Sequence, residues 1–268
     1  VPRAVEGVRD VSFGSVDLWP AGIADGCIIE GVRDAQLRVV HLWSDGITDT
    51  FIRDLRIAVR PRVGAGGGEE RGVLYVWAKD EPYGAELVEL VAGAGTLRAE
   101  GVAIGTEPAP YRLEYELTTT GGYVTARLLV RARGEGWGRV LDLRRSSSGA
   151  WSCTTGGDGG VELPPPGGDL AAVAGALDCD LALSPLTNTM PVLRAGLHER
   201  PGSEELLVAW VSVPDLGVRP SRQRYTFVRG GPERVVRFDS LDSPFSAELR
   251  LDERAVVLDY PGIGRRVA

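Results

Sequence analysis

The sequence predicts an all-β protein built on one long, strongly curved antiparallel sheet, with at most one or two short helices. After residue 73, stretch after stretch alternates apolar and polar side chains with period two, which sends one face inward and the other outward. Gly, Pro, Asp and Ser clusters separate those stretches at the spacing of a meander. The connections are short and favour antiparallel neighbours, because parallel strands need crossover helices for which this chain has little room.

In chain order, Tyr111 to Leu117 is the clearest predicted strand. Tyr111, Leu113, Tyr115 and Leu117 share one face, while Arg112, Glu114 and Glu116 share the other. The same alternation runs through Gly122 to Arg133 and Arg139 to Arg144. Leu163 is followed by Pro164, Pro165 and Pro166, whose fixed φ gives an extended approach to the next stretch. That stretch, Asp169 to Leu177, is rich in Ala and predicts a helical turn or two. Leu206 to Val213 is apolar at successive positions, so it predicts a central strand covered on both faces, by the curled sheet or by the apolar chain of a ligand. Val235 to Asp239, Ala247 to Asp252 and Ala255 to Tyr260 return to alternation and finish the meander.

Residues 1–72 have a different character. Ile23, Ile28, Ile29, Ile47, Ile52 and Ile57 fall there, against Ile104 and Ile263 in all that follows. The change comes at the Gly-rich run of residues 64–70, which lacks the apolar anchors needed to offset its ordering entropy. A poorly structured extension over 1–72 and a folded domain over 73–268 are therefore expected. Lys79 is the sole lysine in a chain dense with Arg, Ala, Gly and Val, the usage of GC-rich coding. In such coding Gly68-Glu69-Glu70 spells a purine-rich ribosome-binding sequence shortly before Val73, so the extension is expected to be spurious translation upstream of a start at Val73. The alternative is a native extension with short strands or a helix at Val39 to Trp43 and Thr50 to Val59. The intact mass of the native protein distinguishes the two.

With 268 residues, 43% of them hydrophobic, the chain can bury a sizeable core. Its net charge of -7 argues against nucleic acid as a partner, since phosphate binding needs clustered cations. No apolar run reaches the length of a membrane-spanning helix. Arg3, Glu6, Arg9 and Asp10 stand where the apolar core of a signal peptide would be, so a cytoplasmic location is expected. Cys27, Cys153 and Cys179 lie far apart, and the histidines are His41 and His198, which leaves no zinc pattern. The cysteines are expected to be reduced thiols, with Cys179 in a core strand. Dinucleotide loop, P-loop and Gly-x-Ser-x-Gly elbow are all missing, so no cofactor is expected. His198, beside Glu199 and Arg200 in a charged turn, is a poor partner for a nucleophilic serine.

The segment from Leu177 to Arg194, LDCDLALSPLTNTMPVLR, resembles the signature of the bacterial family called Putative glycolipid-binding. In that signature an Asp-x-Asp strand leads into a Thr/Ser-Pro-x-Thr-Asn-Thr-x-Pro turn and a basic residue. Gln223-Arg224-Tyr225-Thr226 and Leu258-Asp259-Tyr260-Pro261-Gly262 agree with two further blocks. With an opening strand near Trp77 and the Gly-rich region after Trp151, the resemblance covers about residues 73 to 267. It implies a spiral β-roll, similar in shape to lipoprotein carriers that hold acyl chains in a half-barrel; fold transfers by such likeness better than activity does. In one departure Ala195 stands where the family tends to have a second basic residue, so a paired-arginine anion clamp is not carried over.

Asp178, Asp180, Thr187, Asn188, Thr189, Arg194, Gln223, Tyr225 and Tyr260 are the candidate ligand-binding residues. Two positions apart on a strand, Asp178 and Asp180 face the same way, where carboxylates repel unless bonded or paired with a cation. They can accept from sugar hydroxyls, serve as glycosidase acid and base at a fixed separation, or accept backbone N–H groups at a strand end. Asn188, flanked by Thr187 and Thr189 in a stiff loop bounded by Pro185 and Pro191, can pair with sugar hydroxyls or form an Asx turn. Arg194 can hold an anionic head group or pair with Asp178 or Asp180. Gln223 and Tyr225 share a strand face, Tyr225 as core. Tyr260, before Pro261, reads as the lip of a cavity or as sheet closure. Trp77, Trp137, Trp151 and Trp210 read as core rather than sugar platforms.

Together these residues predict non-catalytic binding of an amphipathic molecule, a glycolipid or an acylated metabolite, on a concave apolar face with polar groups fixing its orientation. Two alternatives stay open: a hydrolase of a glycosylated or acylated substrate that uses the Asp pair, and a structural β-domain with a filled interior.

Overall fold

Strand after strand follows Gly72 in the computed structural model, which describes residues 72–79 and 81–268. The expectations for residues 1–71, including the start site, lie outside the described residues. The first seven strands are β1 Val73–Lys79, β2 Gly84–Gly93, β3 Thr96–Gly105, β4 Tyr111–Thr120, β5 Val124–Gly134, β6 Trp137–Arg145 and β7 Trp151–Gly159. After a long connection come β8 Asp178–Leu181, helix α1 Thr189–Ala195, β9 Ser203–Val211, β10 Val218–Arg229, β11 Arg234–Ser240, β12 Ser246–Leu251, β13 Val257–Tyr260 and β14 Gly264–Arg266.

All fourteen strands form a single open sheet in the order β7-β6-β5-β4-β3-β2-β1-β14-β13-β12-β11-β10-β9-β8. Two meanders meet where β1 pairs with β14, and β7 and β8, consecutive in the chain, become the two edges. The alternation read in the sequence appears as burial: Tyr111, Leu113, Tyr115 and Leu117 are buried along β4, and Leu97, Ala99 and Ala103 along the facing β3. Aromatic rings lie over cross-strand glycines on this inner face. A Cβ on Gly101 would sit 2.2 Å from the Tyr115 ring, and Gly105 and Gly134 stand in the same relation to Tyr111 and Trp137.

Neighbouring strands are antiparallel, as expected, except β8 and β9, which run parallel with Asp178 opposite Val208 and Leu181 opposite Val211. The twenty-odd residues between them supply the crossover that a parallel return requires, and that crossover carries α1. Here the sequence reading was incomplete. In place of the stiff loop expected from Pro185 to Pro191, Leu186–Asn188 is a 3-10 turn running straight into α1. Proline is compatible with that, because Pro191 lies in the first turn, where its missing N–H has no intrahelical partner to lose. Gly196, at φ 67°, ends the helix in the left-handed region. Asp169 to Leu177 is a succession of i to i+3 turns rather than a regular helix.

The sheet curls until edge strand β8 lies over the inner face of β5. The Thr125 amide donates to the Leu177 carbonyl at 3.0 Å, and the Cys179 amide donates to Thr125 Oγ1 at 2.9 Å. One apolar core therefore joins side chains of β1–β7 with Leu181, Leu186, Met190, Ala209 and Val211. A second core lies under α1, between Val192, Leu197, Tyr225, Val236, Phe238 and Leu249. Strand β9 separates the two: Leu207, Ala209 and Val211 face the first, and Leu206 faces the second. The expected two-faced burial is thus supplied by the curled sheet and α1, for a strand next to the edge rather than at the centre.

Candidate functional site

The polar residues of the recognised segment lie where these two cores meet. Strand β8 sends Asp178 and Asp180 to the same side, and each carboxylate is satisfied differently. Both oxygens of Asp178, a residue only 1% exposed, accept from the guanidinium of Arg194 on α1, at 2.6 and 2.5 Å. This is a planar fork on a planar carboxylate. Burial raises the Asp178 pKa, while the hydrogen bonds and charge of Arg194 and the charge of Arg145 work in the other direction.

Among the described residues Asp180 has no such cation. One oxygen accepts from Thr187 Oγ1 at 2.7 Å and the other from Gln223 Nε2 at 2.7 Å. Its pKa is raised by desolvation, opposed by those two bonds and reinforced by the Asp178 charge. Unlike Asp178, this residue is partly exposed.

Strand β10 extends the network. The Tyr225 hydroxyl donates toward Asn188 Oδ1 at 2.8 Å, and Gln223 Oε1 lies 3.2 Å from it. Asn188 Nδ2 in turn donates to the Pro185 carbonyl at 3.2 Å, tying the 3-10 turn to itself. Tyr225, Gln223, Asn188 and Thr187 are all buried. Thr189 Oγ1, fully buried, has no hydrogen-bond partner among the described residues. Tyr260, 7% exposed, packs against Phe238 at a ring separation of 6.0 Å, and Phe245 extends this aromatic group to the surface. Burial and the nearby Asp180 charge raise the Tyr260 phenol. Eight of the nine candidate residues thus fall within one interior region, from the Arg194 fork to the aromatic group at Tyr260, and Thr189 sits beside them on α1.

A second buried polar cluster went unread in the sequence. Glu86 Oε1 accepts from Tyr115 at 2.7 Å and from Ser184 at 2.6 Å, while Lys79 Nζ lies 3.1 Å from Oε2. Among the described residues Oε2 makes no hydrogen bond, and Lys79 holds it as an ion pair. Two signals pointed here: Lys79 is the sole lysine in an arginine-rich chain, and Ser184 belongs to the recognised turn. Ser184 and Thr187 thereby anchor one short turn to β2 on one side and to β8 on the other.

A surface groove of about 700 Å³ lies elsewhere, along β5, β6 and β7 beside Arg131, Arg133, Arg139 and Asp158. It is an open trough along a glycine-rich edge strand, and none of the nine candidate residues lines it. Among the described residues no set of His, Cys, Asp and Glu side chains is placed to hold a metal ion. No helix of the described residues is long and apolar enough to cross a membrane.

A family model described as "Putative glycolipid-binding" matches residues 74–266. Among solved structures, the chain is similar to a DUF1089 family protein from Pseudomonas aeruginosa, at 25% identity and a TM-score of 0.53. That match covers 77% of this chain and 100% of the other. No curated protein matches.

Proposed function

We propose, from the premise that the chain belongs to the Putative glycolipid-binding family, that it binds an amphipathic molecule, a glycolipid or an acylated metabolite, without breaking bonds in it. One observation carries the proposal. Polar groups from β8, the 3-10 turn, α1 and β10, dispersed over some fifty residues of sequence, converge where two apolar cores meet, as the Asp178–Arg194 ion pair and the hydrogen-bond chain Thr187–Asp180–Gln223–Tyr225–Asn188. An amphipathic ligand needs that combination: apolar walls for its chain and a few fixed polar groups for its head. Asp180 and Arg194 are partly exposed, whereas Asp178, Gln223 and Tyr225 are buried.

Acid–base hydrolysis is less well supported by the same geometry. Two carboxyls must be free to exchange protons with the substrate, and both oxygens of Asp178 are occupied by Arg194. The cytoplasmic location expected from the sequence belongs to this proposal as well.

The test is a native mass spectrum of the full chain, gently purified, followed by solvent extraction of anything bound. The proposal expects a stoichiometric amphipathic adduct, or its uptake from a panel of glycolipids and acyl compounds. Clean protein that takes up none of them would overturn it.

A further inference from the structure

We infer that strand β7, the open edge of the sheet, is an interface on which two copies of this chain pair antiparallel and join their sheets into one. The two edges are finished differently. At β8 the strand is only four residues long and folds over β5, where the Cys179 amide donates to Thr125 Oγ1 and the Thr125 amide donates to the Leu177 carbonyl. At β7 nothing covers the edge in that way. Its nine residues pair with β6 without a bulge, and Ser152 and the run from Thr154 to Gly159 are exposed. Among the described residues, no backbone group of Ser152 to Gly159 is hydrogen-bonded outside the β6 ladder. The chain beyond Gly159 turns beneath the inner face instead of running along the edge: the Leu163 carbonyl accepts from Arg139, and Gly167 lies under Thr155. An unpaired edge of this length is a template for another strand, and proteins blunt such edges with lysine, proline or a bulge. Strand β7 has none of the three, and Asp158 is its single charge.

The sequence of β7 fits its own reverse, which is why the occupant is a second copy. The first half carries side chains, Trp151 to Thr154, and the second half is Gly156, Gly157, Asp158 and Gly159. Antiparallel pairing centred on Thr155 sets each half against the other, so Thr154 meets Gly156 of the second copy and Cys153 meets its Gly157. This sheet already packs side chains over directly opposed glycines, at Gly101 and Gly105. The charged position, Asp158, falls opposite Ser152 of the second copy, whose neighbour on β6 is Arg144. Carboxylate, hydroxyl and guanidinium then form one row across the interface, and the two-fold axis makes that contact twice. An in-register parallel pairing would instead set Asp158 beside Asp158, with like charges adjacent. Because the curl covers β8, pairing at β7 consumes the open edge and closes at two copies.

Sedimentation equilibrium of the full chain over a range of concentrations tests this. The expected result is a reversible equilibrium between one chain and two. Ser152→Glu sets a carboxylate against Asp158 of the second copy, and Asp158→Arg brings a guanidinium toward its Arg144; each should raise the dissociation constant about tenfold. The two substitutions together should return it to within about threefold of the parent chain, because the introduced carboxylate and guanidinium face each other across the interface. Within one copy they lie roughly 20 Å apart along an extended strand and cannot pair. Both positions are exposed, so circular dichroism should be unchanged in all three variants. A single-chain mass at every concentration, dimers that neither substitution weakens, or no recovery in the double variant would each overturn the inference.

Discussion

Removing Arg194 should expose how much the fold depends on its charge pairing. Asp178 is 1% exposed, and among the described residues its two oxygens accept only from Arg194, at 2.6 and 2.5 Å. Arg194→Ala leaves that carboxylate buried without its partner. Breaking a buried pair from one side costs about 3–5 kcal/mol. The Arg194 side chain retains 17% exposure, so water can enter the vacated space and the lower end, about 3 kcal/mol, is expected. With a urea slope of about 2 kcal/mol per molar, the midpoint should fall by about 1.5 M, read from tryptophan fluorescence. The pH dependence follows from the direction of the shift. The Asp178 pKa is already raised by burial, and losing Arg194 raises it further. The native state then holds the proton more tightly than the unfolded chain does, so stability falls as pH rises from the unfolded value, about 3.9, through the folded one. The deficit of the variant should therefore be smaller at pH 5 than at pH 7, and Asp178→Asn in the same background should recover at least half of it. A loss under about 1 kcal/mol at pH 7, or no recovery in the double variant, would refute the reasoning.

Lys79→Met removes the cation beside Glu86, whose side chain is fully buried; thermal unfolding should show a loss of about 3 kcal/mol, largely restored by adding Glu86→Gln. The Arg127 fork, with Arg144 beside it, lowers the Asp142 carboxyl to about 2. A depressed carboxylate adds stability above its unfolded pKa, lost as pH falls through about 2, so a carbon-detected titration should find Asp142 ionised at pH 3 and shifted upward in Arg127→Ala. Burial pushes the Cys179 thiol up to about 12, so at pH 8 peptide mapping after thiol labelling should find Cys179 unmodified in native protein and modified after unfolding, whereas the partly exposed Cys153 labels first.

Strands were legible wherever one face meets water. Along β4 and β12 the period-two pattern is written residue by residue, because each side chain answers to one environment. Strand β7 resisted such a reading: Thr154 to Gly159 is exposed on both faces and shows no alternation. Strand β8 is four residues long, too short for any period to show. Helix α1 hid for a related reason, since its seven residues contain Pro191 and follow a Pro-led turn, which carries a turn signature as well as a helical one.

At the candidate site, the blocks carrying Asp178, Asn188, Arg194, Gln223 and Tyr260 could be named from the sequence, but their partners could not. Whether Arg194 pairs with Asp178, with Asp180 or with a ligand depends on where α1 lies over β8, and the crossover geometry decides that. Glu86 stands at an inward position of β2, where Lys79 reaches it across the β1–β2 hairpin and Tyr115 from β4, while only the crossover turn brings Ser184 to it.

The sequence by itself determined the all-β class, the meander of alternating strands and the family, because periodicity and ordered motif blocks are local properties of the chain. The tertiary structure alone decided that the sheet coils with β8 over β5, that one strand pair is parallel, and which oxygen each donor reaches. Those outcomes depend on contacts between residues tens of positions apart, whose separation is set by accumulated twist and by the length of the crossover, and no local pattern encodes them.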